Sequence, residues 1–466
     1  GWWTPLIRVA GLPLCADAMV AVKDVPISGD TAFILVSSAL VFLMLLPGLA
    51  LFYGGLVQSK HVLSVMMQCF GIVGTCALVW LAVGYSLAFS GTGPLIGDFQ
   101  YAFVAPLLGD RHDISRGIPL ATFFIFQGTF AVITPALIIG AWAERAKFLP
   151  VLVFSALWEV LVYCPVCHWV WGGGWLEKLG CRDFAGGLVV HATAGGAAIV
   201  AANMLPSRPG FPNKLQPPHN LPMVMTGASL LWVGWFGFNG GSALHASDTA
   251  AMATVTTATS AAVATLLWLF IEGQRSKYTV EAAVTGMVAG LGTITPASGF
   301  VGIPGALTIG FVGGVVTYLA TALIKERGLA DDALDVFSVH GVGGLVGTIL
   351  TAPLSAKALG GVGYNDGRPM EYLLGVQLLG CIATFVWSVI FSGLLIFLLD
   401  RSMGFCHKLK DQQVGLDIVE HGSRAYEEAR AVDPLEAEKK VDIRELYLDT
   451  EEESMESSVE DLSDAA

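Results

Sequence analysis

Residues 183–196 read DFAGGLVVHATAGG and residues 332–344 read DALDVFSVHGVGG. In each stretch an aspartate (Asp183, Asp332) stands eight residues before a histidine (His191, His340), and a glycine pair follows (Gly195-Gly196, Gly343-Gly344). Each histidine lies in a run of about 20 apolar residues, the length a helix needs to cross a bilayer core. The pattern therefore sets an ionisable ring in the middle of a membrane span, and does so twice.

Working outward from these two stretches, apolar runs fall near 31–56, 62–89, 118–142, 148–170, 185–205, 221–243, 249–271, 280–297, 301–324, 336–352 and 372–399. Composition agrees: 54% of the 466 residues are hydrophobic, 14% are charged, and the mean hydropathy is +0.66, which suits lipid rather than water. The fold class expected is an all-α integral membrane protein with about 11 transmembrane helices. Because the two histidines take matching places in the fifth and tenth spans, spans one to five and six to ten read as two copies. Five is odd, so the second copy enters the membrane upside down. The result is an inverted five-helix repeat plus a final long helix, with both histidines near the midplane at the repeat interface. Glycine pairs at 195–196, 313–314 and 343–344 predict the closest helix packing around the fifth, ninth and tenth spans.

Orientation follows from lysine and arginine, which are retained on the cytoplasmic side. One set of loops holds twelve: Lys60, Arg145, Lys147, Arg208, Lys214, Arg275, Lys277, Lys325, Arg327, Arg401, Lys408 and Lys410. The other set holds six: Arg111, Arg116, Lys178, Arg182, Lys357 and Arg368. The C-terminus is therefore expected in the cytoplasm, the N-terminus outside, and the protein in the cell (inner) membrane.

Residues 1–18 hold one arginine, a short apolar stretch and Ala16-Asp17-Ala18, the small-x-small pattern of a signal-peptide cleavage site, with an ordinary N-terminal tail as the alternative. The membrane domain is expected over 19–401, a cytoplasmic segment over 402–431, and an acidic tail over 432–466. That tail carries thirteen acidic and three basic side chains, which leaves −3 of the −13 net charge for everything before it. So acidic and aromatic-poor a stretch reads as disordered, with a short helix near 433–448.

The eight cysteines form no disulfide framework, since Cys69, Cys76 and Cys381 sit inside apolar spans. Cys164-Pro165-Val166-Cys167 has the spacing of a redox or metal pair, but it lacks a second ligand pair, so helix packing is the expected role. No phosphate-binding loop, metalloprotease motif or nucleophile with its base is found. No enzyme activity, cofactor, bound metal or nucleic-acid partner is expected.

An ionisable side chain inside a membrane span is a functional-site hypothesis, weighed against a buried neutral imidazole bonded to a neighbouring helix. A neutral imidazole has one N–H donor and one acceptor, so two facing rings can share a proton and still serve a passing guest. Burial disfavours the charged ring, which leaves the pair neutral at rest. A small polar molecule such as ammonia can follow that line, whereas a hydrated alkali ion cannot recover its lost hydration there. Aromatic rings surround the pair in sequence: Phe126, Phe130, Trp171, Trp235, Phe236 and Phe238. Trp171 and Phe130 can attract a monovalent cation through their faces, with Ser242 offering an acceptor. Against this, Trp171 can be interfacial belt, the phenylalanines packing, and Ser242 a back-bond to its own helix. Asp183 is expected to cap the helix that carries His191, with Asp332 and Asp335 doing the equivalent at the inner end of the tenth span.

Several stretches together resemble the ammonium transporter family (Amt, Mep and Rh proteins), in its bacterial Amt-type form. They are Pro47-Gly48 to Gly54-Gly55, Phe126-Gln127-Gly128-Thr129-Phe130, Ala143-Glu144-Arg145, Trp171-Gly172-Gly173-Gly174, Asp183 to His191, Gly234-Trp235-Phe236-Gly237-Phe238-Asn239 to Ser242, Ile294-Thr295-Pro296-Ala297 and Asp335 to Gly341. The resemblance covers residues 31 to about 430. It implies an outer ammonium site at Phe130, Trp171 and Ser242, and a pore gate of Phe126, Phe130 and Phe238. His191 with His340 would be a twin-histidine pair, and Trp235 would line the inner path. It also implies nitrogen uptake, methylammonium as a substrate analogue, and a homotrimer in the lipid bilayer with one pore per subunit. Gly415 to Gly422 and Ala425-Tyr426 resemble the segment through which family members meet a PII-type regulatory protein. Two other readings stand beside transport: an ammonium sensor that signals through its tail, and a redox enzyme built on Cys164 and Cys167.

Overall fold

The computed structural model describes residues 28–108, 114–364 and 367–426. The expected signal peptide at 1–18, Arg111, the helix near 433–448 and the acidic tail lie outside the described residues. The chain divides into two units, Gly1–Ser423 and Arg424–Ala466, and the first holds every apolar helix among the described residues.

Ten helices among the described residues are long and apolar enough to cross a bilayer. They are α1 (Ser28–Leu56), α2 (Val62–Phe89), α3 (Leu120–Trp142), α4 (Phe148–Leu179), α5 (Gly187–Met204), α6 (Leu221–Gly241), α7 (Asp248–Arg275), α9 (Ile303–Arg327), α10 (Phe337–Leu354) and α11 (Met370–Met403). An eleventh apolar helix, α8 (Val280–Ile294), has 15 residues and reaches only about 22 Å. It stops three residues short of the span expected from hydropathy: Thr295 still has helical φ and ψ, but Pro296 has no N–H with which to continue the ladder. Helix starts follow capping chemistry: Asn220 Oδ1 accepts the Met223 N–H at 2.9 Å to open α6, and Thr279 Oγ1 accepts that of Ala282 at 3.1 Å to open α8.

The two halves meet where the repeat predicts. Helix α1 packs on α6, α5 packs on α10, and α11 lies across both α5 and α10. Helices α5 and α10 each begin with a π-helical turn, over Gly187–Ala192 and Phe337–Val342, and each turn carries its histidine. Such turns, which widen the helix by one residue, concentrate at functional positions. The approach of the two helices depends on glycine: a Cβ at Gly195 would lie 2.1 Å from Gly341 Cα. Helix α3 is the central element, with 89% of its most apolar window buried, against 33% for α7 and for α11. Leu266, Phe270, Phe311, Leu319, Ile382 and Ile390 are exposed on α7, α9 and α11, an apolar belt that belongs in lipid.

Two features outside the spans hold the helix ends. Arg145, which follows α3, is fully buried against Asp331 at 3.1 Å, and Arg208 meets the same carboxylate at 2.8 Å and Glu144 at 3.3 Å. Burial pushes the Asp331 carboxyl up, but Arg208 and Arg145 outweigh it and hold the group below the usual range. The second feature is the segment after α11, with short helices α12 (Leu409–Val414) and α13 (Leu416–His421). It docks on the start of α2: Asp417 Oδ1 accepts the Ser64 N–H at 2.8 Å, and His61 Nδ1 accepts that of Leu416 at 3.2 Å. Burial lowers His61 to about 4, which keeps its ring neutral and able to accept that bond.

Candidate functional site

Asp183 sets one end of the site, called outer after the orientation expected from the loop charges. It sits in the turn between α4 and α5, and its carboxylate accepts four backbone N–H groups, from Gly186 at 2.9 Å, Gly187 at 2.6 Å, Leu188 at 2.7 Å and Val189 at 3.2 Å. These are the orphan donors that every helix start exposes, here buried and satisfied by one side chain. The Asp183 carbonyl also accepts Trp171 Nε1–H at 2.8 Å, so the cap and the indole are one unit. Arg116 donates to the Trp171 carbonyl from the other side.

Below this lies an outer cavity of ≈ 230 Å³, lined in part by Phe130, Trp171, Asp183, Ser242 and Phe300. Phe130, Trp171 and Ser242, far apart in sequence, therefore share one chamber. The Phe130 and Trp171 ring centroids are 5.9 Å apart at 85°. Ser242 Oγ–H donates to the Phe238 carbonyl at 2.8 Å, so the back-bond to its own helix does form. That bond uses the hydroxyl proton and leaves oxygen lone pairs as acceptors.

The floor of the chamber is aromatic. Phe130 stacks on Phe238 at 4.3 Å and 37°, and meets Phe126 edge-on at 5.1 Å. Beyond the floor, the His191 ring lies nearly parallel to Phe238 at 6.2 Å and to Trp235 at 5.6 Å. The His191 and His340 Nδ1 atoms are 3.2 Å apart, with the rings tilted by 25°. His191 is fully buried and its Nε2 has no hydrogen-bond partner. Trp235 is fixed by donating to Thr295 Oγ1 at 2.9 Å.

His340 opens on an inner cavity of ≈ 260 Å³, which Tyr53, Lys325, Asp332 and Asp335 also line. Asp332 Oδ2 accepts the Phe337 N–H at 2.7 Å, a cap on α10, while its Oδ1 is buried without a partner. Burial, with Asp335 nearby, pushes Asp332 up to about 7. Asp335, expected to act as a second cap, instead turns its carboxylate to Lys325 at 2.5 Å. Its backbone is left-handed, at φ 61°, rather than extended as in a capping residue, and Val336 holds the N-cap position.

Hydropathy and the resemblance gave no role to Tyr53, Thr295 or Gln127, which stand at the inner cavity, behind Trp235 and at the outer cavity. All three lie within matched stretches, Tyr53 in 47–55, Gln127 in 126–130 and Thr295 in 294–297, which was the available signal. Cys164 and Cys167 are fully buried in α4, and Cys164 Sγ lies 3.5 Å from the Gly84 carbonyl, a packing arrangement. Among the described residues, no cluster of three or more His, Cys, Asp or Glu could hold a metal ion.

A line of buried rings thus runs from one cavity to the other across the repeat interface, and comparison with known proteins supplies the family. The model of the Ammonium Transporter Family matches residues 32–426. The chain belongs to the ammonium transporter family. It is 43% identical over 403 residues to an ammonium transporter of Aquifex aeolicus, covering 86% of this chain and 93% of that one. Among solved structures, Saccharomyces cerevisiae Mep2 is 35% identical with a TM-score of 0.77, covering 87% of this chain and 94% of its own. One described as "Sensor Amt Protein" is 30% identical with a TM-score of 0.79, covering 86% of this chain and all of its own. The protein is thus a multi-pass membrane protein of a transport family, not of an enzyme family.

Proposed function

We propose that the protein carries ammonium across the membrane through the line from Trp171 to His340. Ammonium is held at the outer cavity by the faces of Phe130 and Trp171 and by the Ser242 oxygen. A cation on an aromatic face gains roughly 0.5–2 kcal/mol, most where water is excluded. Phe126, Phe130 and Phe238 close the way inward, so a guest passes only when these rings give way. Ammonium passes its proton to water of the outer cavity there, because an uncompensated charge is costly among apolar rings. Ammonia then follows His191 and His340, which offer donors and acceptors in a path that a hydrated alkali ion cannot use. The proton crosses separately. Trp235 lines the path beside His191, and Asp183 positions the helix that carries it.

The observation that carries this reading is the 3.2 Å contact of His191 and His340, buried between the two cavities. Uptake of methylammonium by cells that express the His191→Ala, His340→Ala double variant tests it. Uptake should fall to background; retained uptake by a well-expressed variant would sink the twin-histidine path. The protein would work as a homotrimer in the cell inner membrane with its C-terminus in the cytoplasm. The docked segment Gly404–Gly422 would then be the face open to a PII-type regulator.

Likeness to the structure described as "Sensor Amt Protein" favours one other reading, in which the same pore reports ammonium through the tail. Deletion of residues 432–466 separates the two: a transporter keeps uptake, and a sensor loses a downstream response.

A further inference from the structure

On the same side as Asp183, a second cavity of ≈ 120 Å³ opens between the turn after α4 and the start of α11. Arg182, Arg368, Tyr364 and Tyr372 line it, flanked by Leu179 and Leu373. No carboxylate is among its described lining residues; Glu371 acts on the Tyr364 phenol from outside the lining. Arg182 is only 9% exposed, and its Nη1 has no hydrogen-bond partner. Its backbone is clamped by Gln377 of α11, whose Oε1 accepts the Arg182 N–H at 2.9 Å and whose Nε2–H donates to the Arg182 carbonyl at 2.7 Å. Arg368 lies over the Tyr372 ring at 4.9 Å and donates to the Leu179 carbonyl at 3.0 Å. Neither arginine has an ion-pair partner among the described residues.

A buried guanidinium with a free N–H and no counter-charge among the described residues is an unfavourable arrangement that an anion would relieve. Two guanidinium groups from different elements suit an ion with more than one charge and several acceptor oxygens, which a phosphate offers and a single carboxylate does not. The site also touches the pore. The Arg182 guanidinium lies 5.4 Å from the centroid of Phe300, a ring that lines the outer cavity, and Asp183 is the next residue. We propose that Arg182 and Arg368 bind a phosphate-type oxyanion, and that its charge offsets Arg182 so that the outer cavity attracts cations more strongly. The second part rests on the outer cavity being the ammonium site. The phosphate can be a free ion or the headgroup of an anionic lipid, since the cavity lies at the start of α11, a helix long and apolar enough to cross a bilayer.

The full-length protein in detergent tests the site without any transport. Thermal unfolding is followed against inorganic phosphate, with chloride at equal ionic strength as control, and lipid adducts of phosphatidylglycerol and phosphatidylcholine are compared by native mass spectrometry. Arg182→Gln and Arg368→Gln should each weaken phosphate binding about tenfold or more, as loss of a charge-assisted hydrogen bond implies. Stabilisation by phosphate that both variants lose identifies the free ion. Phosphatidylglycerol adducts that both lose, with no effect of phosphate, identify the headgroup. No binding of either, or binding that both variants retain, overturns the site. If Arg182→Gln fails to fold, the exposed Arg368→Gln variant decides. For the coupling, adding the anion should lower the ammonium concentration that half-saturates transport in the wild type and not in Arg182→Gln; no shift overturns it. Binding through the arginines in a protein that moves no ammonium would leave the site standing and remove the transport reading instead.

Discussion

Asp183 and Asp332 stand at equivalent places in the two halves, each eight residues before its histidine, yet they are built for different ends. The outer carboxylate accepts four N–H groups and has no idle oxygen. The inner one accepts the Phe337 N–H through Oδ2, leaves Oδ1 buried and unpartnered, and faces a cavity shared with Asp335 and Lys325. A repeat can thus preserve a cap as architecture in one half while the other half loosens it into a titratable group. The outer end holds His191 rigidly; the inner end can change charge near neutral pH.

The largest effect expected from this contrast is that of Asp183→Ala. It strands four buried N–H groups, and each unsatisfied group costs about 1–3 kcal/mol. Folded yield and melting temperature in detergent should collapse, and well beyond the loss seen in Asp332→Ala. Equal losses in the two variants would erase the distinction between the two ends.

A smaller, pH-dependent effect is expected at Asp332. Its carboxyl is raised from 3.8 to about 7 in the folded protein, so between those values the folded state holds a proton that the unfolded state has lost. Its contribution to stability is full below about pH 4 and is lost as pH rises through about 7. Asp332→Asn removes the titration. Melting temperatures measured between pH 4.5 and 7.5, values chosen to bracket roughly this window, should show the wild type losing ground to the variant as pH rises. Parallel curves would mean that Asp332 does not titrate there.

The smallest effect is expected at Asp335, which pairs with a Lys325 side chain that is 51% exposed. Water competes for such a pair, so Asp335→Asn should change stability by no more than about 1 kcal/mol. A loss as large as that of Asp183→Ala would make Asp335 a structural anchor and reverse the ranking.

Much of this fold is legible in the chain, because a bilayer removes most alternatives: a backbone in lipid must satisfy its own hydrogen bonds, so each long apolar run becomes a helix. The spans read from hydropathy match the helices to within a few residues; in α4 the regular helix ends at Trp171, close to the expected end, and Gly172–Gly174 separate it from a short further turn over Trp175–Leu179. His191 and His340 were legible from the repeat, and Asp183 as a cap from its place before α5. What hydropathy could not supply is tertiary pairing. Arg145 and Arg208 count as loop charges in the sequence, yet Arg145 is buried and Arg208 largely so, both on Asp331, because only the fold brings residues 145, 208 and 331 together. The Asp335 pairing with Lys325 and the Trp235 bond to Thr295 were hidden for the same reason.

Passage of ammonium by way of the two buried histidines is the step on which the transport reading depends. An ammonium pulse given to purified protein in liposomes on a solid-supported membrane tests it, beside the His191→Ala, His340→Ala double variant. Transport through the pair predicts a saturable inward positive current that the double variant loses while its melting profile stays cooperative. A folded double variant that gives an undiminished current would contradict it.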